Sequence, residues 1–271
     1  MDLTLLLPLA VLLAAASAFA GVLAGLFGVG GGIVLVPVFF FVLTGLGYET
    51  PMLMQVCLAT SLASIVFTSM RSVQAHHRKG AVDWGILRAW APGIIIGAMI
   101  GVGLASRLRS EWLTVIFGVL AGIVGIYLAL GRAHWRLGPV MPGGMLRAVF
   151  SSLVGFLSVL MGIGGGSFGV PLMTLYSVPV HRAVATAAGF GLLIALPSVV
   201  AFLMLDVEQA PPLSLGAVNI PALLIAVSMT MITAPWGARL AHALPALVLR
   251  RIFAVFILIV AANMLRKALT G

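Results

Sequence analysis

The sequence predicts an all-α polytopic membrane protein made of two inverted four-segment repeats, the first segment of each a glycine-broken half-helix hairpin. Three observations lead there. The 271-residue chain is 62% hydrophobic and 8% charged, with a mean hydropathy of +1.23, whereas a soluble domain carries about 25% charged residues. Its apolar runs reach the ~20 residues that a membrane-spanning helix needs. Alternating barrel strands are absent, so helices are left to satisfy the backbone in lipid. Finally, a glycine cluster, "GLFGVGGGIVLVP" at 25–37, returns as "LMGIGGGSFGVP" at 160–171.

Four landmarks recur in the same order, as in an internal repeat. Gly28, Gly30, Gly31, Gly32 and Pro37 match Gly162, Gly164, Gly165, Gly166 and Pro171 at a constant offset of 134. "LATS" at 58–61 matches "VATA" at 184–187, "GAVD" at 80–83 matches "GAVN" at 216–219, and "GVGLA" at 101–105 resembles "GARLA" at 237–241. The repeats cover 1–131 and 147–271, around a basic, Gly- and Pro-rich linker at 132–146 that is expected in the cytoplasm. The apolar stretches run over 5–44, 52–71, 84–106 and 111–131, then 147–177, 181–204, 214–240 and 245–268. The first of each is too long for one span and holds the glycines. Thr50 with Pro51, and Ser177 with Pro179, read as start signals for the second stretches.

Charge orients the segments. The loop after the second stretch holds Arg71, Arg78 and Lys79 in one repeat but Asp206 and Glu208 in the other. Positive loops favour the cytoplasm, so these equivalent loops fall on opposite sides, which requires an odd number of crossings per repeat. A hairpin that enters and leaves on one side supplies it. The basic C-terminus, with Arg266 and Lys267 placed outside, goes against the rule.

The net charge of +9 fits topology and anionic headgroups better than nucleic acid. A lone cysteine, Cys57, excludes a disulfide framework. No His, Asp or Glu group has metal-ligand spacing, and neither metal nor cofactor is expected. His76 and His77, beside Arg78 and Lys79, read as a solvated loop.

No charge lies deep in an apolar run, so the device that usually marks an ion path is missing. Interrupted backbone stands in its place. Discontinuous helices in inverted-repeat transporters aim their N-termini at substrate near the midplane, where free N–H groups and a partial positive charge suit an anion. The candidate substrate positions are Gly30, Gly31, Gly32, Thr60, Ser61, Gly164, Gly165, Gly166, Ser167 and Thr186. Ser167 can cap its half-helix and offer a hydroxyl. Close helix packing is the competing explanation for the glycines, and is preferred for Gly93, Gly97 and Gly101 and for Gly118, Gly122 and Gly125. Gln55 and His181, equivalent positions, are candidates for an access path, and Arg182 for drawing an anion to the mouth. Asp83 is a candidate for carrying a coupled proton, although capping explains Asp83 and Asn219 more simply.

The paired "GxGGG…VP" clusters, each followed by "ATS" or "ATA" and then "GAVD" or "GAVN", resemble the sulfite exporter TauE/SafE family of membrane permeases over nearly the whole chain. The resemblance implies a bacterial or archaeal inner-membrane carrier of small sulfur-containing anions such as sulfite, sulfonates (sulfoacetate among them) or thiosulfate, or of related organic anions. It also implies a site at Gly30–Gly32 with Thr60 and Ser61, and at Gly164–Gly166 with Thr186. Ala187 stands where the first repeat has Ser61, so the half-sites differ. The expected partners are the anion, the bilayer and a coupling ion, with a proton as one candidate. An anion channel on the same scaffold is the alternative. An intramembrane hydrolase using Ser167 with His181 or His242 is the remote one.

Overall fold

The computed structural model describes residues 3–27, 31–48, 50–130, 135–243 and 246–270. Gly28 and Gly30 of the first cluster lie outside the described residues, as do the side chains of Arg250 and His242. The first half of the chain folds as α1 (Leu3–Phe27), α2 (Gly32–Gly45), α3 (Leu53–Arg78), α4 (Trp84–Ala105) and α5 (Ser110–Leu130). The second follows as α6 (Gly144–Leu160), α7 (Gly166–Leu175), α8 (Val180–Leu203), a two-stranded hairpin of β1 (Ser214–Leu215) and β2 (Val218–Asn219), α9 (Ile220–Ala243) and α10 (Ala246–Thr270). Among the described residues, six helices are long and apolar enough to cross a membrane. The protein is a polytopic helical membrane protein.

Each first stretch breaks at its glycines, and the two arms are unequal. α1 has 25 residues and α2 has 14; α6 has 17 and α7 has 10. At about 1.5 Å per residue α1 spans roughly 37 Å, more than the ~30 Å hydrocarbon core, while α2 and α7 reach only part-way across. The second break is written in hydrogen bonds. Gly162 N–H donates to the Val159 carbonyl and Ile163 N–H to the Ser158 carbonyl, both at 2.9 Å. This is a Schellman ending, with Gly162 at the left-handed position (φ +60°) that glycine occupies without a Cβ penalty.

Three start and stop signals behave differently from expectation. α3 begins at Leu53 after a turn, in which Thr50 accepts the Met52 N–H and donates to the Glu208 carbonyl at 2.9 Å. Ser177 does not cap α8. It has φ +64° and ends α7 in another Schellman pattern, Val178 N–H reaching the Met173 carbonyl. α3 continues to Arg78, so His76 and His77 sit in its last turn. That turn is polar and largely exposed, and a helix can project it beyond the lipid.

The two halves interleave. α1 lies along α9, with Gly21 against Thr230 and Thr233 and Gly237 against Val22. Its counterpart α6 lies along α4, with Gly155 against Ile94 and Ala98, and Gly97 and Gly101 against Ser152 and Phe156. The missing Cβ atoms let these backbones approach closely, as expected for Gly93, Gly97 and Gly101. α5 and α10 pack antiparallel, since Gly118 meets Leu265 and Gly125 meets Leu258. α3 and α8 form the centre and also run antiparallel. Thr50, before α3, bonds to Glu208, after α8, while Asp83, after α3, meets Arg182 at the start of α8.

Candidate functional site

The two glycine breaks touch. Gly32, the first residue of α2, packs on the backbone of the other break. A Cβ there would run into the Gly162 carbonyl and lie 2.9 Å from Ile163 Cα. Gly162 in turn presses on α2 and α3, where a Cβ would come 2.7 Å from Val36 and 2.9 Å from Leu58. Ser61 of α3 reaches the same point and donates to the Gly162 carbonyl at 2.7 Å. Ala187, its equivalent on α8, carries no hydroxyl. Gly31 holds the left-handed conformation, φ +71°, that starts α2. Glycine is therefore required sterically at this crossing, whatever else the site does.

A Cβ at Gly165 would run into Phe190 and lie 3.1 Å from the Ala187 carbonyl, so this glycine also packs tightly. Phe190 stacks on Trp90 with ring centroids 6.1 Å apart. Gly164, Gly165 and Gly166 are all buried. Gly165 caps α7 without any side-chain bond, and Ser167 lies inside the first turn rather than capping it. The Ser167 hydroxyl is buried, with the residue 7% exposed, and has no hydrogen-bond partner. The N–H groups of that first turn have no intrahelical carbonyl and give the helix end a partial positive charge.

A second orphan stands on the other side of the same break. Ser158, in the last turn of α6, is fully buried and its hydroxyl is also unpartnered. The sequence reading missed it, although a signal existed. Ser158 and Ser167 align with Ala24 and Ile33 of the first repeat, so a pair of hydroxyls belongs to one break alone. Buried polar groups are normally paired, and these two hydroxyls, one on each arm of the second break, are not.

The threonines have another partner. Thr60 Oγ1 accepts the Asn219 N–H at 3.0 Å, and Thr186 Oγ1 accepts the Asp83 N–H at 2.9 Å. Each repeat's "GAV[DN]" segment thus docks on the other repeat's "ATS" or "ATA" segment. Asp83 and Asn219 cap α4 and α9, accepting from Ile86 at 3.0 Å and Ala222 at 3.1 Å. Asn219 Nδ2 also donates to the Pro212 carbonyl and Ser214 Oγ, which ties the small hairpin down. Asp83 has no such hairpin; its second oxygen lies 3.4 Å from Arg182.

The two access candidates separate. Gln55 is fully buried and donates to the carbonyls of Ala105, at 3.0 Å, and Leu108, holding the end of α4. His181 is exposed at the start of α8. Among the described residues Ser167 makes no bond to His181 or to any other side chain, so no Ser167–His181 dyad forms; the His242 side chain lies outside the described residues.

The fold is that of a multi-pass membrane transporter with two broken helices at its centre. The sequence profile of the sulfite exporter TauE/SafE family matches residues 13–264, and the chain belongs to that family. It is 32% identical over 252 residues to a probable membrane transporter protein of Haemophilus influenzae, covering 92% of this chain and 96% of the relative. A probable membrane transporter protein, YunE, of Bacillus subtilis is 32% identical over 197 residues, 65% of this chain and 72% of the relative. One from Methanocaldococcus jannaschii is 27% identical over 229 residues, 82% of this chain and 81% of the relative. No solved structure matches the chain.

Proposed function

We propose that the protein is a secondary carrier of a small sulfur-containing oxyanion, of the sulfite, sulfonate or thiosulfate type, and that the anion binds at the second glycine break. The observation that carries this reading is the unpartnered, buried Ser167 hydroxyl in the first turn of α7. An oxyanion there accepts from that hydroxyl and from the turn's N–H groups, in line with the helix dipole. Ser158 supplies a further donor from the opposite arm. The site holds no fixed counter-charge, so the anion is bound moderately and can leave on either side. The family's name supports the substrate class.

Alternating access follows from inverted repeats, and the antiparallel pairing of equivalent helices supports that arrangement. Both α3 with α8 and α5 with α10 run antiparallel, as a two-fold axis in the membrane plane demands. The two threonine contacts are then the two gates. Both are made here, which describes an occluded form. The basic loop 78–79 and the linker face the cytoplasm in this arrangement, and the loop with Asp206 and Glu208 faces out. The Thr60, Ser61 and Thr186 hydroxyls serve the gates and the crossing of the breaks rather than holding the anion directly.

Reconstituted vesicles test the reading. Those preloaded with unlabelled sulfite should take up labelled sulfite faster than empty ones, because a carrier exchanges. Conductance without such stimulation would show a channel, and no flux of sulfite, sulfoacetate or thiosulfate would overturn the substrate class.

A further inference from the structure

The two gates are equivalent by symmetry but differ in charge. Arg182 and Thr186 lie one helical turn apart on α8, on one face, and both meet Asp83: Thr186 through the Asp83 N–H, Arg182 through its carboxylate. In the other gate the corresponding residues are Val56, Thr60 and Asn219. There Val56 is buried and the Asn219 amide is spent on its own hairpin. The charged pair is confined to one mouth. It is also loose and wet: a single 3.4 Å contact, with the Arg182 side chain 53% exposed and that of Asp83 28% exposed. The exposed Arg78 and Lys79 stand just before it in the chain.

We propose that Arg182, just outside the gate made by Thr186, is a mouth site for a small oxyanion, and that the Asp83 carboxylate occupies this site in the anion-free protein. The inference rests on the carrier reading above and adds a first binding step to it. A guanidinium recognises a carboxylate, a sulfonate and a sulfite by the same N–H···O bonds. An exposed single-contact pair contributes little, so an arriving anion can displace the carboxylate. Asp83 keeps its cap on α4 through its other oxygen, and the displacement costs the helix nothing. It does remove one of the two side-chain ties between the 79–83 loop and α8. The anion therefore loosens the gate that it is about to pass. The route inward follows α8 from Arg182 past Thr186 to Ala187 and Phe190, which pack directly on Gly165 at the α7 terminus. That is about 12 Å along the helix. Basic residues at the rim raise the local anion concentration there, and salt weakens their effect.

The other repeat supplies the variants. Asp83→Asn installs the residue found at position 219, so the cap is retained; Arg182→Val installs the residue at position 56. Sulfite binding to the purified protein in nanodiscs, with thermal unfolding as a check on folding, reads them out. Asp83→Asn should bind sulfite about two- to fivefold more tightly, the range set by an exposed ion pair. Arg182→Val should raise the KM for vesicle uptake with little change in kcat, and the double variant should behave as Arg182→Val alone. Unchanged sulfite affinity in folded Asp83→Asn, together with unchanged KM in Arg182→Val, overturns the mouth site while leaving the central site standing if Ser167→Ala still weakens binding. Absence of sulfite, sulfoacetate and thiosulfate binding to the wild type and to both variants overturns the mouth site together with the carrier reading.

Discussion

The Asn219 N–H donates to the Thr60 hydroxyl at 3.0 Å across 159 positions of sequence. It joins the residue that caps α9 to the N-terminal third of α3, and Thr186 and Asp83 repeat it in mirror order. Thr60→Val is nearly isosteric but removes the acceptor, leaving a buried N–H unsatisfied at a cost of about 1–3 kcal/mol. Thermal unfolding of the purified protein should fall for Thr60→Val and recover in Thr60→Ser. Equal stability of Thr60→Val and wild type would show that the bond does not hold the gate.

The Ser61 bond to the Gly162 carbonyl, 2.7 Å and buried, ties α3 to the second break. Ser61→Ala copies the residue present at position 187 and should destabilise the protein by about 1–3 kcal/mol. It should also slow transport, since the Gly162 carbonyl positions the end of α6. Unfolding and uptake assays measured together check both parts.

Gly32→Ala should be far more damaging than Gly103→Ala. The new methyl at 32 meets the backbone carbonyl of Gly162, which the Ser61 hydroxyl holds in place, whereas a Cβ at 103 meets nothing within 4 Å. Overpacking of this kind typically costs 1–3 kcal/mol. Uptake by vesicles with matched protein content should be lost in Gly32→Ala and retained in Gly103→Ala.

Much of this was legible in the sequence, because the relevant signals are local or repeated. Composition alone placed the chain in the membrane. The duplicated glycines located both breaks, and the caps at Asp83 and Asn219 follow from residue type and position. What the sequence hid lies between distant segments. Thr60 and Thr186 read as candidate anion contacts; the N–H groups they accept from are more than a hundred residues away and invisible to a local reading. Ser177 read as a cap because its left-handed backbone is invisible in a residue name. Ser214–Asn219 read as the start of an apolar stretch, since a six-residue hairpin is too short to show a period. Ser158 was legible only by asking which polar residues the first repeat lacks.

The central claim is that an oxyanion takes hydrogen bonds at the second break from a hydroxyl that has no partner in the protein. Ser167→Ala separates this from a structural role, because deleting an unpartnered hydroxyl leaves nothing newly unsatisfied. Sulfite titration calorimetry on wild type and Ser167→Ala, beside their unfolding midpoints, is the direct measurement. The account predicts about a three- to tenfold loss of sulfite affinity, the worth of one hydrogen bond, with an unfolding midpoint equal to or above that of the wild type. Equal affinity in the two proteins would contradict it.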